Sequence, residues 1–390
     1  MSSDNFPDTI PHPFSPAGRR CPYPAYQWLA ENEPLHYDPS AGMWFIAGHK
    51  AAAAALRDRR LSAALGQRQR LREDGIPPSM LSTDGAEHVR LRAPGARLLG
   101  PAAVRSIRQG IAADIRLLTA RLNTTGEVDV HADIAIPLAL AVFCRLLEIE
   151  PDQRPAFAAL AHRVSVNLDP FTAGAAAADG RAAARELTDF IGCHVDRLLG
   201  TGADGPLTHL AADQRLARAD MLGIVSLAVI GGYSPLAELL SNTLYLQVRH
   251  PELATASSAS ATALAGAIEE ALRLEAPIPF TSRVATADIR LPAGEIPAGA
   301  RVLVLLAAAG RDPVVFANPA TPEPGRSPNP HLAFGAGPHF CLGAPLVRLA
   351  VGQAVAAILR DFPRLRIAGP AEWSSALLPR RLANFRLTMG

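Results

Sequence analysis

Phe334-Gly335-Ala336-Gly337-Pro338-His339-Phe340-Cys341-Leu342-Gly343 sets one cysteine among three glycines, just before an amphipathic stretch over 342–361. Glycine lets backbone approach a flat ligand closely. A helix beginning near Leu342 presents free N–H groups and a positive partial charge to Cys341. Both lower a thiol pKa and favour the thiolate. A thiolate is a strong ligand for haem iron. Taken alone, the same residues also describe a buried cysteine in a glycine-rich turn.

The rest of the chain narrows the field. It has 390 residues, 49% hydrophobic and 19% charged, with formal net charge +2. That is enough apolar content for a large core. Nothing in the charge balance resembles a polybasic nucleic-acid binder or an acidic tail. Lys50 is the only lysine, and with the alanine richness this points to a GC-rich bacterial genome. The four cysteines, Cys21, Cys144, Cys193 and Cys341, form no CxxC pair, so a disulfide scaffold or structural zinc site is not expected. Residues 1–20 are polar and proline-rich, without the apolar core of a signal peptide. No run approaches the roughly 20 uninterrupted apolar residues of a membrane span. A soluble, cytoplasmic chain in a reducing compartment is expected.

Periodicity gives a mainly helical chain. Residues 11–18 read as an irregular arm, and 24–32 as a short helix. Residues 35–37 and 43–47 read as a hairpin, and 50–60 as helix. Residues 61–85 read as a long, functional loop. Helical patterns cover 137–147, 153–166, 180–199, 218–248 and 261–274, with 173–180 as a flexible connection. Ile289–Leu291 and 301–306 flank turn residues and predict a small sheet. Residues 310–330 read as coil, 342–361 as helix and 378–389 as a terminal hairpin. No linker divides the chain, so one domain spanning 1–390 is expected.

The spacing Phe334-x-x-Gly337-x-His339-x-Cys341-x-Gly343 resembles the haem-binding signature of the cytochrome P450 superfamily. Glu270-Ala271-Leu272-Arg273 resembles that family's Glu-x-x-Arg, whose residues share a helix face. Arg326 matches its third, structural partner. Asp84-Gly-Ala-Glu-His88-Val-Arg90-Leu-Arg92 and Arg283 match segments that reach the haem propionates. The resemblance implies a mainly α fold with small β-sheets, a triangular helix-rich single domain. It implies haem b, with Cys341 as iron ligand. It places His88, Arg92, Arg283 and His339 on the propionates, and Phe334, Gly335 and Gly343 against the macrocycle. Charge-assisted hydrogen bonds suit such a set.

The central helix departs from the pattern. Counting back from His250-Pro251-Glu252 sets Gly231-Gly232-Tyr233-Ser234-Pro235 over the family's acid–threonine motif. Ser234 takes the acid position and Pro235 the threonine position. Proline has no N–H and clashes with the carbonyl four residues earlier, so a kink is expected. Either the helix simply tolerates Pro235, or the proton delivery that the resemblance implies is lost or replaced. Gly232, Tyr233, Ser234 and Pro235 are the candidate catalytic positions, with Glu238 a turn further on. Ala350, where the family often has Glu, is a minor departure.

The resemblance implies a haem-thiolate monooxygenase of bacterial secondary metabolism, such as antibiotic biosynthesis. It would act on a small or mid-sized organic substrate with non-standard proton delivery. Oxidative coupling, cyclisation or rearrangement without oxygen insertion is the alternative; an inactive scaffold is a minor one. Electrons would come from a separate ferredoxin and ferredoxin reductase, received on a cationic face of Arg90, Arg97 and Arg348. The chain is expected to act as a monomer, without nucleic acid or membrane. The pocket is expected to use residues 61–85, 228–235, 277–281 and 376–377, with 164–172 as its lid. Arg68, Arg70 and Arg72 would anchor a substrate carboxylate or be solvated.

Overall fold

The computed structural model describes residues 7, 9–65, 77–122, 126–165, 168–169 and 172–389. Arg68, Arg70 and Arg72 lie outside the described residues. Long helices dominate: Gly85–Leu99, Pro101–Leu122, Ile136–Leu146, Arg154–Ser165, Gly174–Leu199, Arg218–Arg249, Ala261–Leu274 and Ala344–Asp361. The 32-residue Arg218–Arg249 helix is the axis of the fold. At 1.5 Å per residue it runs about 48 Å. By length and composition it could cross a membrane, but most of its apolar stretch is buried inside the protein. Ile224, Val225, Val229, Leu240 and Leu244 are fully buried in the main core with residues of the neighbouring helices. Each such side chain contributes about 1.5–3 kcal/mol on burial.

A five-stranded sheet flanks the helices. Its order is Leu35–Asp38, Met43–Ile46, Arg301–Val304, Thr281–Ala285 and Leu61–Ser62. The expected hairpin is present, with Leu35 opposite Ile46 and Asp38 opposite Met43. Met43–Ile46 then pairs parallel with Arg301–Val304, joining chain segments more than 250 residues apart. Small two- and three-stranded sheets complete the β part. Fold class agrees with the expectation from sequence.

Several local expectations change. Residues 174–180 are the first turns of the Gly174–Leu199 helix rather than a flexible connection, because Ala177, Gly180, Ala183 and Ala184 pack inward. Small residues here serve close packing. The C-terminal residues do not pair as one hairpin. Leu382–Asn384 pairs with Glu372–Trp373, while Arg386–Thr388 lies between Glu127–Asp129 and Arg366–Ile367. The N-terminal arm contains a helical turn, Pro16–Arg20, capped by Ser15. The central helix, by contrast, runs through Pro235 to Arg249, as the periodicity over 218–248 predicts.

The coil over 310–330 is fixed by a buried ion cluster. Glu270 and Arg273 are 0% and 1% exposed. Arg273 Nε and Nη2 each donate to a Glu270 oxygen at 2.7 Å. Arg273 also donates to the carbonyls of Gly310, Pro319 and Thr321. Glu270 further accepts from Glu323 N, Asn329 Nδ2 and the Arg326 guanidinium. A pair three apart on a helix thus anchors the coil leading to the cysteine. The coil lies so close that a Cβ on Gly266 would sit 1.8 Å from Pro324 O.

Candidate functional site

A cavity of about 1370 Å³ lies between the central helix, the cysteine loop, the 277–284 segment and the N-terminal arm. Cys341 lines its floor with Phe334, Gly335, Phe340, Leu342 and Gly343. Cys341 N donates to Phe334 O at 2.9 Å and Gly335 N to Leu332 O at 2.7 Å, closing the loop upon itself. Gly337 sits at φ +68°, where a Cβ would come within 2.6 Å of Leu56 O. Only glycine fits this turn.

The expectation of a lowered thiol pKa is not met. Burial pushes the Cys341 thiol up. The N–H groups of Gly343 and Ala344, with Arg92 and Arg348 nearby, pull it down without prevailing. Desolvation outweighs the helix start because the sulfur is enclosed. A metal cation at the sulfur reverses this balance, since a coordinating thiol is deprotonated outright.

Arg92, Arg283 and His339 line the same cavity. His88 stands behind them, its ring centroid 4.3 Å from that of His339. Arg92 Nη2 donates to Phe340 O at 2.6 Å. Arg283, 5% exposed, donates to Thr281 Oγ1 and Ser282 O on its own strand. His88 is 3% exposed, and its Nε2 has no hydrogen-bond partner among the described residues. Burial, His339 and Arg92 push its pKa down to about 4. Burial also lowers His339, against the pull of Asp84. The sequence suggested four cations; the structure gathers two arginines and two imidazoles, and burial with neighbouring charge lowers the pKa of both imidazoles.

These residues fit a haem. A thiol lies on the floor, and two guanidinium groups and two imidazoles gather to one side. An enclosed imidazole nitrogen there lacks an acceptor or donor. A flat macrocycle with two carboxylates satisfies each of these.

The central helix turns 100° per residue, and this sorts the four candidate catalytic positions. Gly232 and Pro235 line the cavity with Gly231, Leu236 and Leu239. Tyr233 and Ser234 do not line it. Tyr233 packs edge-on against Phe143, 6.1 Å between centroids, and burial lifts its hydroxyl pKa to about 12. Ser234 is 6% exposed. Glu238 is also off the lining. It is 1% exposed, 3.5 Å from His131 Nδ1, with neither oxygen hydrogen-bonded among the described residues. Pro235 offers no N–H, so the Gly231 carbonyl lacks its usual donor.

Other expected lining is partly present. Leu65, Ser79, Met80 and Leu81 line the cavity, whereas 66–76 lie outside the described residues. Pro277, Ile278, Phe280 and Thr281 line it; Leu378 does so in place of Ala376 and Leu377. Of the expected lid, Val164 and Leu168 contribute; 166, 167, 170 and 171 are outside the described residues. His12, Phe14 and Ser15 form a further wall with Ser40, Ala41 and Met43. No sequence signal marked that proline-rich arm as lining.

The expected cationic face is largely neutralised. Arg90 pairs with Asp220, and Arg97 with Asp213 at 2.6 Å. Arg348 chelates Glu269 at 2.6 and 2.8 Å, with His331 on the same carboxylate. The acids come from distant segments that a linear reading does not bring together.

Comparison with known proteins agrees with this geometry. The family described as Cytochrome P450 matches residues 257–366. The chain is 32% identical over 370 residues to the 20-oxo-5-O-mycaminosyltylactone 23-monooxygenase of Streptomyces fradiae, covering 90% of this chain and 86% of that one. It is 32% identical to the cytochrome P450 monooxygenase PikC of Streptomyces venezuelae, covering 89% and 85%. The crystal structure of CalO2 superposes with a TM-score of 0.89 at 27% identity, over 98% and 99% of the two chains. With its cysteine-floored cavity, its buried Glu270–Arg273–Arg326 cluster and these relatives, the chain belongs to the cytochrome P450 family of haem-carrying enzymes.

Proposed function

We propose that this enzyme is a bacterial monooxygenase of secondary metabolism whose substrate is mid-sized, largely apolar and uncharged. Cys341 would be the haem iron ligand. His88, Arg92, Arg283 and His339 would hold the propionates, and Phe334, Gly335 and Gly343 would lie against the macrocycle. When bound, the haem supplies the oxidising chemistry, and thiolate ligation favours O–O cleavage. The observation that carries the reading is the cavity itself. Cys341, Arg92, Arg283 and His339 line it, and among the described residues the central helix offers it only Leu227, Ala228, Ile230, Gly231, Gly232, Pro235, Leu236 and Leu239. None of these side chains can hold or pass a proton. Met80, Leu81, Phe143, Val164, Ile278 and Phe280 extend the apolar wall, which excludes water and favours an uncharged ligand.

Proton delivery is therefore non-standard. The Gly231 carbonyl, freed by Pro235, accepts a hydrogen bond from a water or a substrate hydroxyl. That group, rather than a side chain of the central helix, carries the proton. Buried Tyr233 and Ser234 act through packing, and Gly232 keeps the wall thin: a Cβ there would meet Phe143 at 2.7 Å. Electrons come from a separate ferredoxin and its reductase.

Oxidative coupling or cyclisation is the second reading, favoured by the same lack of a side-chain proton donor. One experiment separates them. Purified enzyme is supplied with ferredoxin, reductase, NADPH and a panel of macrolactones under isotopically heavy dioxygen. A product heavier by one labelled oxygen supports monooxygenation. A dehydrogenated or cyclised product with no label sinks it. A reduced, carbon-monoxide-treated sample lacking the thiolate-ligated absorption band would sink the haem assignment altogether.

A further inference from the structure

Asp84 stands at the N-cap of the Gly85–Leu99 helix, yet its side chain caps none of that helix's N–H groups. An N-cap aspartate ordinarily accepts from the second or third helical N–H. Here the carboxylate turns outwards and binds three groups from elsewhere. Oδ2 accepts from Ser62 Oγ at 2.6 Å and from Ala64 N at 3.1 Å. Oδ1 lies 3.1 Å from His339 Nε2. Ser62 in turn accepts from Leu65 N at 3.0 Å, and Leu65 lines the cavity. The edge strand Leu61–Ser62, the helix start and the cysteine loop are thus tied at one carboxylate.

The surroundings give that carboxylate a purpose beyond cohesion. His339, two residues before Cys341, packs on His88. Among the described residues, Asp84 is the hydrogen-bond partner of the His339 ring. We infer that Asp84 is a positioning residue for haem binding. It fixes the His339 imidazole and adds one negative charge to the basic cluster, so that cofactor retention and reduction potential depend on a residue that does not line the cavity. Through Ser62 it also couples this cluster to the wall at Leu65. This inference rests on the haem reading given under Proposed function.

The test compares Asp84→Asn, Asp84→Ala and Asp84→Glu with the wild-type holoenzyme. Haem release is followed by transfer to apomyoglobin, and the ferric–ferrous midpoint by spectroelectrochemistry. Asp84→Ala removes every bond at this point and should release haem about tenfold faster, as loss of a charge-assisted hydrogen bond allows. Asp84→Asn keeps an acceptor for Ser62 but loses the charge. It should favour the ferrous form about threefold at fixed potential, a rise of about 28 mV at 59 mV per tenfold for one electron. Asp84→Glu should restore most of the potential. A purely structural role would lower thermal stability in Asp84→Ala and leave the Asp84→Asn midpoint unchanged. Wild-type midpoint and release rate in both Asn and Ala variants overturn the inference while the haem reading stands. Wild-type protein with no thiolate-ligated band overturns both.

Discussion

Replacing Glu270 by Gln removes one charge from the buried cluster and leaves Arg273 in place. Both side chains are fully buried, so water cannot compensate. Glu270 accepts two bonds from Arg273 at 2.7 Å and others from Glu323 N, Asn329 Nδ2 and Arg326. A glutamine keeps one acceptor and turns an amide N–H towards a guanidinium. Breaking a buried pair from one side costs about 3–5 kcal/mol, because the remaining charge is stranded. The carbonyls of Gly310, Pro319 and Thr321 still solvate Arg273, which places the expected loss near 4 kcal/mol. At about 2.1 cal/mol/K per residue, a chain of this length has an unfolding entropy of about 0.8 kcal/mol/K, so Tm should fall by about 5 °C. The measurement is a thermal melt by circular dichroism, with hydrogen exchange of 310–330 alongside. Exchange there should rise before the rest of the chain, since this coil hangs on the cluster. A Tm within about 1 °C of wild type would refute the claim that Glu270 holds the coil by compensating a stranded charge.

The central helix gives a stability prediction of opposite sign. Pro235→Ala returns an N–H to the Gly231 carbonyl in a helix interior, where proline costs about 3 kcal/mol relative to alanine. Unfolded-state entropy gives back up to about 1 kcal/mol, so Tm should rise by about 2.5–4 °C. A fall would mean that the packing around Pro235 requires its ring. The acid limb of stability depends on Glu269. Burial opposes its ionisation, but Arg348 and His331 prevail and hold its pKa down to about 2. Its stabilisation is full above the ordinary carboxylate value near 4.5 and disappears as pH falls through about 2. Glu269→Gln should flatten the dependence of urea midpoints on pH across that window. An unchanged slope would show that the carboxylate contributes nothing there.

What the sequence determined by itself was local. Cys341, Gly337 and His339 are defined by spacing within ten residues, and Glu270 and Arg273 by one helical turn. A resemblance over the whole chain then named the family. Pro235 is likewise legible, since its missing N–H is a property of the residue type and its helix was evident from periodicity. The tertiary structure decided whatever depends on meeting across the chain. Asp84 meets His339 from 255 positions away, and Arg348 meets Glu269 from 79; no periodicity encodes either. These meetings turned an expected cationic face into neutral pairs and gave the cofactor cluster a carboxylate. Packing around the helix also chose which side of it faces the cavity. Gly232 and Pro235 face inwards while Tyr233 and Ser234 do not, because each successive residue is rotated by 100° and only one arc of the helix can meet the open space. Burial is a property of the whole fold, and it overrode the helix start at Cys341, where the enclosed thiol is pushed up.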